Sequence, residues 1–198
     1  MMIKVGITGG IGSGKTTVCK IFETLGIPIY YADHRAKELM VKNNEIIHKI
    51  TILFGSDAYL ESGALNRKLI SHQVFKNKQL LSQLNNIVHP IVFQDTQNWF
   101  QLHLDKPYSL YEAAIMFESG SYTMMNKMIT VFAPIEDRIT RVMNRDNMSR
   151  EDVLERINQQ MPEEEKINKA DFVIYNNHTI SLIEQVLNIH HQLISLKR

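Results

Sequence analysis

The sequence predicts an α/β protein built on a parallel five-stranded sheet, and three observations predict it. The apolar run Ile3-Lys4-Val5-Gly6-Ile7 leads into Gly9-Gly10-Ile11-Gly12-Ser13-Gly14-Lys15-Thr16, a G-x-x-x-x-G-K-[ST] phosphate-binding loop in the strand-to-helix context it needs. Short apolar runs at 3–8, 27–31, 109–116, 128–133 and 172–175 are separated by segments of helical periodicity, the alternation expected of a parallel sheet. Residues 34–104 show little strand signal and are too long for a simple crossover, so they read as an inserted helical subdomain able to cover a ligand.

Taken in order, 3–8 is apolar on both faces, as in a buried parallel strand. A helix follows over 15–25, with Val18, Ile21, Phe22 and Leu25 on one face and Gly26 to end it. The second strand, 27–31, carries Ala32-Asp33 at its carboxyl end, the edge where open parallel sheets bind ligands. Helices are expected at 34–41, 45–54, 66–75, 78–88 and 91–104, with a loop over 55–63 and Pro90 at the start of the last helix. After the strands at 109–116 and 128–133 come two charged helices, 135–147 and 149–161, the second opened by a Ser149–Asp152 pair resembling a capping box. A strand at 172–175 and a helix at 180–196 close the chain.

The 198 residues carry 22 basic and 21 acidic side chains, a net charge of +1, which gives no general nucleic-acid surface. The single cysteine, Cys19, cannot form an internal disulfide and reads as a small core residue. No signal-peptide pattern opens the chain and no apolar stretch approaches membrane-spanning length, so a cytoplasmic protein is expected, without membrane or nucleic-acid partners. A monomer or small homo-oligomer is expected.

The glycines of the loop allow close backbone approach to a phosphate, whose oxygens the N–H groups of residues 10–17 would meet at a helix N-terminus. Lys15 supplies a cation for the β- and γ-phosphates, and the Thr16 hydroxyl a ligand for Mg²⁺. Arg138, Arg141 and Arg145, spaced three and four apart, share one helix face. With acidic residues interleaved they suit a solvated, salt-bridged face; beside a phosphate loop they suit an arginine-bearing lid. Asp33 has three compatible readings: base toward an attacking hydroxyl, Mg²⁺ holder through a water, or helix N-cap. Of Glu112 and Glu118, which flank an apolar run, Glu118 lies nearer the expected ligand edge. His89 alone reads as a loop or cap histidine, and the His190-His191 pair as surface residues without metal-ligand spacing. Asn168-Lys169-Ala170-Asp171 matches the N-K-x-D guanine signature but precedes a strand instead of following one. The chain also has no D-x-x-G, which argues against a GTPase switch.

Across essentially its whole length the sequence resembles the dephospho-CoA kinase family. The resemblance is carried by the string 6–17, Ala32-Asp33, Phe54-Gly55, Gly63-Ala64-Leu65-Asn66-Arg67, His89-Pro90, Phe117-Glu118, Arg141, Arg145-Asp146, Gln160, Ala170-Asp171 and Asn176-Asn177, in that order and spacing. It implies a P-loop kinase core (1–33, 105–134, 170–198), a helical CoA-binding subdomain (34–104) and a helical lid (135–169). It also implies ATP as co-substrate with Mg²⁺, and transfer to the ribose 3′-hydroxyl of dephospho-CoA. By resemblance Asp33 is the general base. Arg67, His89 and Glu118 belong to the acceptor site, Arg141 is the lid arginine nearest the phosphates, and Asn176 and Asn177 lie near the adenine. The sequence departs from the family at Tyr31, where an aspartate is common, and at 114–117, where Pro-Leu-Leu is common. It departs again at Arg138, where a glutamine often begins the lid helix, and at His178, where a glycine often follows the asparagines.

Overall fold

The computed structural model describes residues 2–75 and 77–196. Its strands are β1 (Ile3–Thr8), β2 (Ile29–Tyr31), β3 (Tyr108–Glu112), β4 (Lys127–Phe132) and β5 (Phe172–Tyr175). They form one sheet in the order β2-β3-β1-β4-β5, every neighbouring pair parallel. The central strand β1 pairs Ile7 with Glu112 on one side and Ile129 on the other. The helices are α1 (Lys15–Thr24), α2 (Ala32–Lys42), α3 (Asn44–Phe54), α4 (Arg67–Phe75), α5 (Lys78–Gln101), α6 (Ile135–Asp146), α7 (Arg150–Asn158), α8 (Glu163–Lys169) and α9 (Leu182–Ser195). Among the described residues no helix is long and apolar enough to cross a membrane.

Packing divides the chain into two compact units: residues up to Tyr31 together with those from Phe100 onward, and Ala32–Trp99. In the sheet unit, Val5, Ile7, Leu110, Ile129, Val131 and Ile174 from the strands meet Val18, Cys19 and Phe22 of α1 and Val186, Ile189 and Leu193 of α9. Isolated strands this short are not stable, so burial of this layer is what holds β1 and its loop in place. The helical unit has its own core, around Ile46, Ile50, Phe54, Ile70, Leu84 and Val88.

Four elements differ from expectation. The helices expected at 78–88 and 91–104 are one helix, α5, with Pro90 inside it. Proline removes one ladder bond, but Leu80, Leu84, Ile87, Val88, Ile91 and Val92, on both sides of it, pack into a single core. Tertiary burial outweighs the local penalty. Strand β3 stops at Glu112 and not at 116, because Ala113 makes the last bond to Ile7 before the chain enters turns. Met116 and Phe117 are buried within those turns, so apolar character there signalled burial and not strand. Helix α8 was not expected, although Pro162 before three glutamates, with Lys166 and Lys169 in the last turn, complements a helix dipole at both ends. Finally, α2 begins at Ala32, which puts Asp33 in its first turn and not at the cap of a helix starting at 34.

Candidate active site

The phosphate loop runs from the carboxyl end of β1 into α1, and its shape follows from its glycines. Gly14, at φ 96°, caps α1 in the left-handed region, and Gly12 has φ 79°. Both also permit close approach: a Cβ on Gly14 would run into the Asn176 side chain, and one on Gly12 into the backbone of Arg138. The Ser13 N–H donates to the Gly10 carbonyl at 3.1 Å, and the helical ladder starts with Thr17 and Val18 donating to the Gly14 carbonyl at 3.0 and 3.2 Å. Amides ahead of that ladder lie at the positive end of the helix dipole, a donor set for phosphate oxygens. Lys15 is buried, its Nζ donating to the Gly9 and Gly10 carbonyls at 2.7 and 3.4 Å. Thr16 and Thr17 are exposed on the first turn. Among the described residues no three His, Cys, Asp or Glu side chains gather to cage a metal. The loop instead suits Mg²⁺ held by one hydroxyl and a substrate's phosphates.

Helix α6 brings two arginines to this loop. Arg141 donates to the Gly12 carbonyl at 3.3 Å and the Asn176 carbonyl at 3.4 Å, and lies 3.8 Å from Asp137. Arg138 is only 3% exposed, and its Nε donates to the Ile11 carbonyl at 2.9 Å. Burial draws its guanidinium below the ordinary arginine range, and Glu163 opposes that shift. The other arginines follow the salt-bridged reading. Arg145 pairs with Asp146 at 2.7 Å and Arg150 with Glu136 at 2.7 Å, while Arg156 stands 3.9 Å from Asp146. Asn176 donates through its side chain to the Ser13 carbonyl at 2.9 Å. Asn177 turns away, accepting from Thr179, and His178 takes φ 64°.

Glu118 sits in the turns after β3, where its Oε1 accepts from the Met161 N–H at 2.8 Å and lies 3.7 Å from Lys166 Nζ. Sequence reasoning missed this partner. Lys166 is fully buried between Glu118 and Glu163, the latter at 3.4 Å. Glu112, weighed against Glu118 in the sequence, is buried at the end of β3 in register with Ile7 and Tyr31. A fully buried lysine has no sequence signal, whereas Glu112 was readable as the last polar residue of its strand. The His190 of the expected surface pair is half-buried, its Nδ1 2.7 Å from the hydroxyl of buried Tyr108. Cys19 is buried as expected, and its thiol is pushed far above the ordinary range by burial first and Glu112 second, which leaves it unreactive.

In the helical unit, Asp33 is exposed in the first turn of α2. Arg35, two residues on, anchors α2 to α5 through a two-pronged pair with Asp95 at 2.7 and 2.8 Å. Arg67 opens α4 and lines a concave pocket of about 350 Å³ with His34, Lys37, Glu38 and Lys42. His89 is exposed within α5, not in a loop or cap, and does not line that pocket.

With this geometry in view, residues 3–181 match the family described as dephospho-CoA kinase. A dephospho-CoA kinase from Salinibacter ruber is 40% identical over 182 residues, covering 91% of this chain and 92% of the relative. A crystal structure from Thermus thermophilus aligns with TM-score 0.86 at 34% identity, over 96% of this chain and 97% of that one. A dephospho-CoA kinase from Campylobacter jejuni aligns with TM-score 0.74 at 26% identity over the full length of both chains.

Proposed function

We propose a division of labour for this site from one premise: the chain belongs to the dephospho-CoA kinase family. It is a kinase that phosphorylates dephospho-CoA, the final step of coenzyme A biosynthesis, with ATP as co-substrate. The observation that carries the residue roles is the loop itself, with Gly12 and Gly14 at positive φ and Lys15, Arg141 and Asn176 gathered on it.

In this reading residues 10–17 hold the β- and γ-phosphates, and Lys15 leaves the Gly9 and Gly10 carbonyls for phosphate oxygens. Thr16 would hold Mg²⁺, which neutralises charge on the phosphates when bound. Arg141, on a lid of residues 135–169, places a cation at the transferring group, and Asn176 and Asn177 lie toward the adenine. Asp33 orients the ribose 3′-hydroxyl and accepts its proton. Residues 34–104 take the acceptor, and Arg67, His89 and Glu118 are assigned to it by family resemblance. The pocket beside Arg67 supports this, because Lys37, Lys42, Arg67 and one carboxylate leave it cationic, matched to a pyrophosphate-bearing acceptor. Direct in-line transfer needs no covalent intermediate, so positioning and charge stabilisation supply the catalysis. The enzyme acts in the cytoplasm as a monomer or small homo-oligomer.

The test is ADP release across dephospho-CoA, adenosine, AMP and shikimate. Activity confined to dephospho-CoA is expected, and equal activity on the others would refute the acceptor assignment. Lys15→Ala should lower turnover by ~10²-fold or more with an unchanged circular dichroism spectrum. Asp33→Asn should keep ATP binding and lose transfer by ~10²-fold or more. Lost ATP binding in that variant would replace the base role with a metal role.

A further inference from the structure

The contacts of Arg138 are unusual for a buried charge. Removing a guanidinium from water costs several kcal/mol and is normally offset by a close, two-pronged carboxylate. Here the nearest carboxylate oxygen, Glu163 Oε1, stands 3.5 Å from one terminal nitrogen, beyond the ~2.7–2.9 Å of a tight charged hydrogen bond. The shortest contact is instead Nε to a neutral peptide oxygen, that of Ile11, at 2.9 Å. On the other side of the same residue, the Ile11 N–H donates to Gln160 Oε1 at 2.9 Å. The Ile11 side chain packs against Ile139, Val142 and Val153. Ile11 is thus held at its carbonyl, its amide and its side chain, all by residues 138–160. Its two neighbours are the glycines Gly10 and Gly12, and a Cβ on either would collide with Arg138. Behind the guanidinium, Glu163 is itself fixed by fully buried Lys166, which reaches on to Glu118.

We propose that Arg138 is a positioning residue: together with Gln160 it clamps the Ile11 peptide and sets the arch of the phosphate loop before nucleotide binds. A loop with glycines at 9, 10, 12 and 14 has a large conformational entropy to lose, ~1 kcal/mol or more per residue ordered. Left unheld, it would bind nucleotide with an affinity reduced by the fraction of time spent out of shape. Arg138 touches the loop and not the reacting atoms, so its effect falls on nucleotide affinity and leaves the transfer step alone. The proposal rests on reading the loop as the nucleotide site.

The chemistry of the clamp supplies its own test. A glutamine side chain places Nε2 at the same bond distance from the backbone as arginine Nε, so Arg138→Gln retains the donor to the Ile11 carbonyl and discards the charge. Arg138→Met retains the length and discards the donor. Arg138→Lys retains the charge and shifts the donor by one atom. Losing one such hydrogen bond corresponds to about a tenfold effect. Arg138→Met should therefore raise the KM for ATP about tenfold and speed amide exchange in a peptide covering 9–14 by a similar factor. Its kcat and its KM for dephospho-CoA should stay within about twofold, and Arg138→Gln should restore both affected quantities. Wild-type exchange and KM in Arg138→Met overturn the proposal. So does rescue by Arg138→Lys with failure of Arg138→Gln, which would make the charge the working part. Where Arg138→Met does not fold, the contrast between the Gln and Lys variants decides. Amide exchange is read without substrate, so an inactive wild type with a clamp-sensitive loop would refute the acceptor assignment and leave the clamp standing.

Discussion

His178 shows how a single residue records a conflict between backbone and side chain. It follows the two asparagines at φ 64°, in the left-handed region that disfavours a residue bearing a Cβ by about 1 kcal/mol or more. Its imidazole nitrogen lies 3.3 Å from Arg141 and 3.6 Å from Asp137, contacts of an exposed side chain that recover little of that cost. His178→Gly should therefore raise stability by about 0.5 kcal/mol, the strain released less the extra freedom glycine has when unfolded. A urea midpoint that rises with an unchanged slope is the expected result, and a midpoint that falls would show that the Arg141 contact outweighs the strain. Legibility in the sequence divides along the same line. Residues 9–16 were readable because glycines, lysine and threonine act there through local backbone geometry. Arg141 and Asn176 were assigned by resemblance to the phosphates and the adenine, and in the structure their side chains donate to the Gly12 and Ser13 carbonyls. Lys166, Glu163 and the loop-facing side of Arg138 were not, because charged residues read as solvent-facing until packing encloses them.

At the scale of elements, misreadings arose where a local rule met a long-range one. Pro90 forecast a helix boundary, and the shared core of α5 removed it. The apolar run after Glu112 forecast a longer strand, but a strand continues only while a neighbour offers ladder bonds. Ser149 was read correctly, since its hydroxyl accepts from the Asp152 N–H at 3.1 Å, a wholly local cap. The Tyr108–His190 bond joins β3 to α9 and was invisible in sequence, being separated by 82 positions. Burial, with neighbouring His191 acting the same way, holds the His190 imidazole below its ordinary value of 6.5. A histidine with a depressed folded value takes up its proton more readily when unfolded. Its neutral form thus stabilises the fold fully above about pH 6.5, and that contribution is lost as pH falls through that value toward the folded one. The stability difference between wild type and His190→Gln, from urea melts at about pH 7.5 and about pH 5.5, should shrink at the lower pH. A difference independent of pH would show that His190 is titrating as an ordinary exposed histidine.

At the scale of the whole molecule, the residues proposed for the chemistry fall in two separately cored units. The phosphate loop, Arg141, Asn176 and Glu118 belong to the sheet unit, and Asp33, Arg67, His89 and the cationic pocket to the helical unit. With the proposed roles, the two substrates should leave different footprints. A ligand that binds only folded protein stabilises it by about 2.7 kcal/mol at a hundred times its Kd, and slows amide exchange most where it orders backbone. A non-hydrolysable ATP analogue with Mg²⁺ should therefore protect peptides covering 9–17, 135–145 and 175–178. Dephospho-CoA should protect peptides covering 32–42 and 67–75, the segments that carry Asp33, the pocket lysines and Arg67. Lys15→Ala should abolish the first footprint and leave the second, because the role proposed for Lys15 involves the nucleotide phosphates alone. Replacing Arg67 with alanine should weaken the second and leave the first. Protection of 9–17 by dephospho-CoA alone, with nothing at 32–42 or 67–75, would remove the acceptor from the helical unit. Asp33 would then need another role, since a base must stand within hydrogen-bond reach of the hydroxyl it deprotonates.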